Sequence, residues 1–240
     1  MSDRIAVVTV CRNPGPLLER AISSVEALSD ARVCHVVIDG ASTDGTAEYL
    51  RQQEHRLFHW VSEPDRGIYD AMNKGWAAAP RDCWILFLGA DDELLSVPPD
   101  AELRDAAHQG WRLLYGVTVV GGRPFRSRWN AGIRFRNTLQ HQSLLVHKSV
   151  CQGVPFDTRY RVYGDWDFNL RLWLKGEKAA HRPSLVAHAD PGGISASRPA
   201  RETFDIARRN VGILAAFVAL AILVYCGFRD GVKRRMTARA

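Results

Sequence analysis

The sequence predicts an α/β fold, a mixed sheet flanked by helices, and three observations carry that prediction. Continuous apolar runs at residues 5–10, 33–38 and 83–88 lack the alternation of a half-exposed strand. Such runs belong to strands covered by helices on both faces, as in a parallel sheet. Between them lie stretches with helical spacing of apolar residues, so the first 95 or so residues read as βαβαβαβ. After that point the pattern changes to shorter strands and a glycine-centred hairpin, which makes the whole sheet mixed.

Taken in order, residues 5–10 form the first strand. Pro14, Gly15 and Pro16 then open a helix with Leu17, Leu18, Ala21, Ile22, Val25 and Leu28 on one face. Asn13 is its expected N-cap. A second strand at 33–38 leads into the turn-rich DGASTDGT and a short helix ending near Gln53. Residues 57–61 give a third strand, 70–78 a helix and 83–88 a fourth strand. Beyond them, 112–120 and the segment past Gly121 and Gly122 suggest a hairpin, and 143–147 another strand. Residues 163–175 read as a helix with Phe168, Leu172 and Trp173 among its apolar positions. No repeat or linker divides residues 1–200, which are expected to form one domain, with 201–240 as a basic, hydrophobic tail.

A chain of 240 residues, 46 % hydrophobic and 24 % charged, is neither disordered nor fibrous. Its five cysteines (Cys11, Cys34, Cys83, Cys151 and Cys226) are scattered with no CxxC pair. That usage suits a reducing compartment and excludes a disulfide framework or a zinc site. The N-terminal apolar run is too short for a signal peptide and reads as a buried strand. The net charge of +6 is unevenly placed, with +5 of it in residues 201–240. This distribution points to a phosphate-bearing surface such as a membrane and argues against nucleic acid as a partner.

Ligands of open α/β sheets bind beyond the carboxyl ends of the strands, and acidic residues collect there. Asp39 follows the second strand, and Asp91 and Asp92 follow the fourth. Asp39 alone serves equally well as a turn residue. Two adjacent aspartates, in contrast, repel each other unless a cation sits beside them, and Mg²⁺ or Mn²⁺ bridging carboxylates to phosphate oxygens meets that need. No Walker loop or GxGxxG supplies a glycine-rich phosphate cradle. Asp165, near the start of the helix at 163–175, is either a first-turn acid favoured by the helix dipole or a reactive carboxylate.

The segments VVTVCRN, VIDGASTDGT, SEPDRGIYDAMNKG, FLGADDEL and YGDWDFNLRLWLKG occur in that order across residues 4–196. Together they resemble the family 2 glycosyltransferases of GT-A fold, and GIYDAMNKG is similar to a branch that builds bacterial cell-surface polysaccharides. The resemblance implies an inverting transfer from a nucleotide-diphosphate sugar, with Mg²⁺ or Mn²⁺ as cofactor. By the same resemblance Asn13, Asp39 and Asp44 lie near the nucleotide base and ribose. Asp65, Arg66, Gly67 and Lys74 lie near nucleotide or diphosphate. Asp91 matches a metal-binding aspartate, and Asp92 shares metal and ribose duties because Gly89 stands where the family has its first acid. Asp165 matches the catalytic base, preceded here by Gly164 in place of the usual Glu. Asp167 is the weaker candidate for that role, and Arg171 is expected to pair ions. His188 is either a metal or diphosphate ligand or a hydrogen-bonded structural histidine. His141 and Gln142 are candidate acceptor-side contacts.

Between Asp105 and Asp157 there is no acidic residue, while Arg112, Arg123, Arg126, Arg128, Arg134, Arg136 and Lys148 interleave with Trp111, Phe125, Trp129 and Phe135. This stretch reads either as a dock for an anionic, lipid-linked acceptor or as a solvated face with arginine stems over apolar surface. Residues 211–228 are uncharged and flanked by Arg208, Arg209, Arg229, Lys233, Arg234 and Arg235. At ~1.5 Å per residue they measure about 27 Å. A single transmembrane anchor, a membrane-embedded helix and a buried homodimer helix all fit, and each keeps the domain at the cytoplasmic face of a bacterial inner membrane. The alternative to an enzyme is a noncatalytic nucleotide-sugar-binding scaffold, which the glycine at position 89 favours and the aspartates at 91, 92 and 165 oppose.

Overall fold

The computed structural model describes residues 2–190, 197 and 199–237, with side chains as far as residue 229. Four parallel strands form its first half: β1 (Ile5–Cys11), β2 (Val33–Asp39), β3 (His59–Ser62) and β4 (Trp84–Gly89). Helices α1 (Leu17–Glu26), α2 (Thr46–Gln52) and α3 (Ile68–Ala78) connect them. The apolar run of β1 has a direct explanation. Ala6 and Val8 enter one core cluster with Ile38, Trp76 and Phe168, while Ile5 and Val7 enter a second with Trp84, Leu86 and Leu103. Ile5, Val7 and Val8 each contribute about 1.5–3 kcal/mol when fully buried, so both faces of β1 are stabilising.

The second half adds β5 (Glu93–Ser96), α4 (Asp100–His108), β6 (Leu113–Val120), β7 (Arg123–Phe125), β8 (Leu144–His147), α5 (Gly164–Leu174) and β9 (Ala179–Ala189). Among the described residues the strands make one mixed sheet in the order β3-β2-β1-β4-β8-β6-β9-β5, with β7 paired to β6. The hairpin, the strand before His147 and α5 are where the sequence pattern puts them. The strands β5 and β9 and helix α4 are additions. Pro183 interrupts the alternation of β9, and its ladder to β6 shifts register between Tyr115 and Val117.

Asn13 does not cap α1. Pro16 holds the N-cap position, and Asn13 has φ of 50°, a left-handed conformation that asparagine tolerates better than most residues. Its Oδ1 accepts from the Thr43 backbone N–H at 2.8 Å, tying the loop after β1 to the loop after β2.

Helix α6 (Ala200–Asn210), at the start of the tail expected from residue 201, packs into the main core through Ile206 and Ala207. Glu202 accepts from the backbone N–H groups of Arg161, Val162 and Tyr163 at 2.8–3.0 Å and so holds the segment that leads into α5. Helix α7 (Ile213–Thr237) then folds back against α6, with Phe204 and Phe217 ring to ring at 5.6 Å. Ala216 and Ala219 are buried in the main core. The transmembrane anchor expected at 211–228 is not supported. Among the described residues no helix is long and apolar enough to cross a membrane, and one face of α7 is committed to the domain. The side chains of Lys233, Arg234 and Arg235, and the stretch 191–196 of the sequence resemblance, lie outside the described residues.

Candidate functional site

A cavity of about 620 Å³ opens beyond the carboxyl ends of β1 and β4. Parallel pairing places Val10 beside Gly89, so the turn after β4 carries Asp91 and Asp92 over the end of β1. Asp165, from the first turn of α5, lines the same cavity. Three of the carboxylates singled out in the sequence thus share one site.

The Asp165 carboxylate is held from several sides. Its Oδ2 accepts from Asn137 Nδ2 at 2.8 Å, and its Oδ1 accepts from the Trp166 backbone N–H at 2.8 Å. The Tyr69 hydroxyl lies 2.7 Å from the Val162 carbonyl and 3.2 Å from Asp165 Oδ1, its single proton shared between them. Burial, with the Asp165 charge behind it, raises the Tyr69 pKa well above that of a free phenol, so this group stays a donor. Gly164 explains the missing glutamate. A Cβ at this position would fall 2.8 Å from the Tyr69 ring, so no larger residue fits while Tyr69 keeps its place.

Gly89 has a similar explanation. A Cβ there would meet Asp91 Oδ1 and Asp92 Oδ2, each at 2.6 Å. Both carboxylates therefore converge on the space that a side chain at 89 would fill. Asp92 is buried, and its Oδ2 accepts from the Gly89 N–H and from Gln142 Nε2, both at 3.0 Å. Burial and the neighbouring Asp91 raise its pKa, against the pull of His141 and these two donors. The Gln142 Oε1 is buried without a protein partner. Two converging carboxylates and an orphaned amide oxygen suit a hard cation that completes its shell with water and phosphate oxygens.

The adjacent residues His141 and Gln142 bridge the two carboxylate centres. His141 Nδ1 stands 3.7 Å from Asp165 Oδ2 while Gln142 holds Asp92. Burial disfavours the His141 imidazolium, but the charge of Asp165 foremost, with Asp92 and Asp91, prevails and raises its pKa. The apolar strand after them marked this pair in the sequence. Tyr69 and Arg12 lie inside the family-like segments without a role assigned to them, Arg136 was named only in the basic stretch, and Asn137 and Asp190 carried no signal; Arg12, Arg136 and Asp190 also line the cavity.

Other expected residues stand elsewhere. His188 lies in β9, opposite Glu93 of β5, and does not line the cavity. Among the described residues no three His, Cys, Asp or Glu side chains are grouped to hold a metal, so a set of Asp91, Asp92 and His188 is not assembled. Asp39 is fully buried and accepts from both the N–H and the hydroxyl of Ser42 and from the Ser62 hydroxyl. Asp44 accepts from the Gly15 N–H at 2.9 Å, and the Thr46 hydroxyl with that N–H lowers its pKa. Asp65 accepts from the Gly67 N–H at 2.8 Å. Arg66 is exposed and paired with Asp70, and Lys74 pairs with Glu63 and donates to the Pro64 carbonyl. These groups build the loops after β1, β2 and β3, next to the cavity and outside its lining. Asp167 is buried against Arg171 and Asn210, and Arg171 is the ion-pairing residue expected.

Residues 6–154 match the profile of glycosyl transferase family 2. The chain belongs to that family. Over 177 residues it is 34 % identical to a PGL/p-HBAD biosynthesis glycosyltransferase of Mycobacterium bovis, an alignment covering 67 % of this chain and 66 % of the relative. The chain thus spans about two thirds of that relative's length. It is 26 % identical over 230 residues to the N-acetylglucosaminyl-diphospho-decaprenol L-rhamnosyltransferase of Mycobacterium tuberculosis, covering 77 % and 75 %. Among solved structures, the mannosyltransferase PcManGT of Pyrobaculum calidifontis, in complex with GDP-Man and Mn²⁺, superposes with a TM-score of 0.63 at 22 % identity, covering 92 % of this chain and 70 % of that one. The mixed sheet with its flanking helices is the GT-A fold of this family.

Proposed function

We propose that this family 2 member is an inverting glycosyltransferase. It moves a sugar from a nucleotide-diphosphate sugar to a hydroxyl of a lipid-linked or polysaccharide acceptor in cell-surface glycan synthesis. The observation that carries the reading is the fixed Asp165 carboxylate, which shares one cavity with Asp91 and Asp92. Asp165 takes the proton of the acceptor hydroxyl as that oxygen attacks the anomeric carbon from the face opposite the diphosphate. Asn137 and the Trp166 N–H keep the carboxylate aimed during the attack. A single displacement inverts the anomeric configuration and requires no enzyme nucleophile.

Asp91, Asp92 and the Gln142 amide oxygen would hold Mg²⁺ or Mn²⁺, which supplies positive charge to a departing diphosphate. The Mn²⁺ and GDP-Man of the Pyrobaculum structure support both cofactor and donor class. Arg12 and Arg136 add positive charge at the cavity wall. Asn13, Asp39, Asp44, Asp65, Arg66, Gly67 and Lys74 shape the neighbouring loops over which base and ribose lie, and Asp92 faces the ribose. The mycobacterial relative that acts on a diphospho-decaprenol substrate supports a lipid-linked acceptor. The net +5 of residues 201–240 and the exposed apolar Leu214, Val224 and Phe228 of α7 support peripheral contact with an anionic membrane at its cytoplasmic face.

Nucleoside diphosphate release from UDP-, GDP- and dTDP-sugars, with and without Mn²⁺, tests the proposal. Metal-dependent release from one donor, lost in Asp91→Ala, is the expected result. Calorimetric binding of a donor with no turnover, with or without Mn²⁺, would put the scaffold reading in its place, and absence of both binding and turnover for every donor would overturn both readings.

A further inference from the structure

Helix α7 presents apolar side chains on two opposite faces. At about 3.6 residues per turn, Ala215, Ala216, Ala219, Ile222, Leu223 and Cys226 share one arc of about 120°. The first two of these are buried, and the other four line the cavity that holds Asp165, Asp91 and Asp92. The opposite arc carries Leu214, Phe217, Val224, Tyr225 and Phe228, each at least 60 % exposed. A helix that served only to touch a membrane would need just the outer arc. The inner arc instead gives a wall of the reaction cavity an aliphatic surface, and Phe125 and Phe135 add aromatic surface from the hairpin side. A diphosphate sugar covers little of such a wall, since only its base and the C–H faces of its sugar rings are apolar while its phosphates and hydroxyls seek polar partners.

We infer that the inner face of α7 is a binding subsite for an apolar segment of the acceptor, joined directly to the head that bears the reacting hydroxyl. The acceptor is then an amphiphile. Its polar head meets Asp165 and its chain or ring lies along Ile222, Leu223 and Cys226. This inference rests on the transferase reading and deepens it, because a purely hydrophilic glycan end would leave the aliphatic wall uncovered. The outer arc of the same helix faces the surface from which such an amphiphile arrives, so one helix joins the source of the acceptor to the place where it reacts.

The test uses the full-length protein, with Cys226 as reporter and alkyl glucosides as probes. Alkylation of Cys226 by N-ethylmaleimide is followed by peptide mass spectrometry in the presence of methyl, hexyl or octyl β-D-glucoside, all kept below micelle formation. Saturable slowing of alkylation by about fivefold or more with the octyl compound, weaker with hexyl and absent with methyl, is expected. Leu223→Asp should abolish that protection, while Leu214→Gln on the outer face should keep it. Equal alkylation rates with all three probes, or equal protection in Leu223→Asp, would overturn the inference. Binding of UDP and GDP, measured by calorimetry on the same protein, separates the two possible failures. Nucleotide binding without chain-length dependence removes only the apolar subsite, and no nucleotide binding removes the transferase reading beneath it.

Discussion

The two sides of the cavity are made of different material. On the side of β1, β2 and β4, short loops at parallel strand ends carry carboxylates that are already engaged: Asp92, in the lining, by Gly89 and Gln142, and behind the lining Asp39 by Ser42 and Ser62 and Asp44 by Gly15 and Thr46. On the other side, Asp165, Asn137, Phe125, Phe135 and the inner face of α7 come from a helix start, an irregular connection, a hairpin and the C-terminal helix. The first side is a rigid, polar floor set by sheet register. The second is assembled from distant segments that must each be pinned, and it supplies the apolar surface. The proposed function puts donor recognition on the floor and acceptor choice on the assembled wall.

Asp165→Asn gives the sharpest separation of the two sides. Loss of a general base lowers kcat by about 10²–10⁴-fold, while nucleoside diphosphate affinity, read by calorimetry, should stay within a factor of two. A parallel loss of nucleotide binding would erase the distinction. Next in size is Gly164→Ala, which presses a methyl group against the Tyr69 ring. Overpacking of this kind costs about 1–3 kcal/mol. A urea titration should show that loss together with a fall in kcat, and an unchanged midpoint would mean that Tyr69 does not pin the wall.

The floor has its own weak point at His35, buried beneath the sheet with its Nε2 2.9 Å from Thr9 Oγ1. Burial first, then the charge of Arg56, pushes its pKa down from 6.5 to about 3. The unfolded chain therefore binds a proton that the folded one refuses between those values. The His35 contribution to stability is full well above pH 6.5 and declines as pH falls toward 3, by roughly 1–2 kcal/mol at pH 5.5. Urea midpoints at pH 7.5 and 5.5 should show this decline, and His35→Gln should flatten it. The smallest effect is expected from Arg126→Glu with Arg128→Glu, two exposed arginines on the hairpin side. Acceptor KM should rise about threefold to tenfold with an anionic lipid-linked acceptor, and donor KM should not move. Equal changes in both would detach these arginines from the wall.

The floor was also the legible part. Continuous apolar strands announce themselves, and the residue after each strand end is placed by the sheet without further information. The wall was legible at Asp165, at His141 with Gln142, and in the basic, aromatic stretch that holds Phe125 and Phe135. Tyr69 and Asn137 reach Asp165 from 96 and 28 residues away, and nothing local in their sequence reports that meeting. His188 was left open between ligand and structural histidine, and what sequence could not supply is its place in β9, paired with Glu93 of β5 and outside the cavity lining. The tail was legible as an apolar helix, but its apolar run goes all the way round, so sequence alone left an anchor, an embedded helix and a buried helix open. The alanines on one arc fit against a protein surface, where a membrane span would need no such face.

His141 and Gln142 also carry a geometric consequence. One side chain stands against the carboxylate proposed to accept a proton, and the next holds a carboxylate proposed to face the donor. Their Cα atoms are separated by a single trans peptide, about 3.8 Å long. The chain thus keeps a ruler of fixed length across its own reaction site, cut from covalent bonds instead of packing. Loops may lengthen and cores may soften elsewhere, but an insertion between these two residues would change the gauge itself.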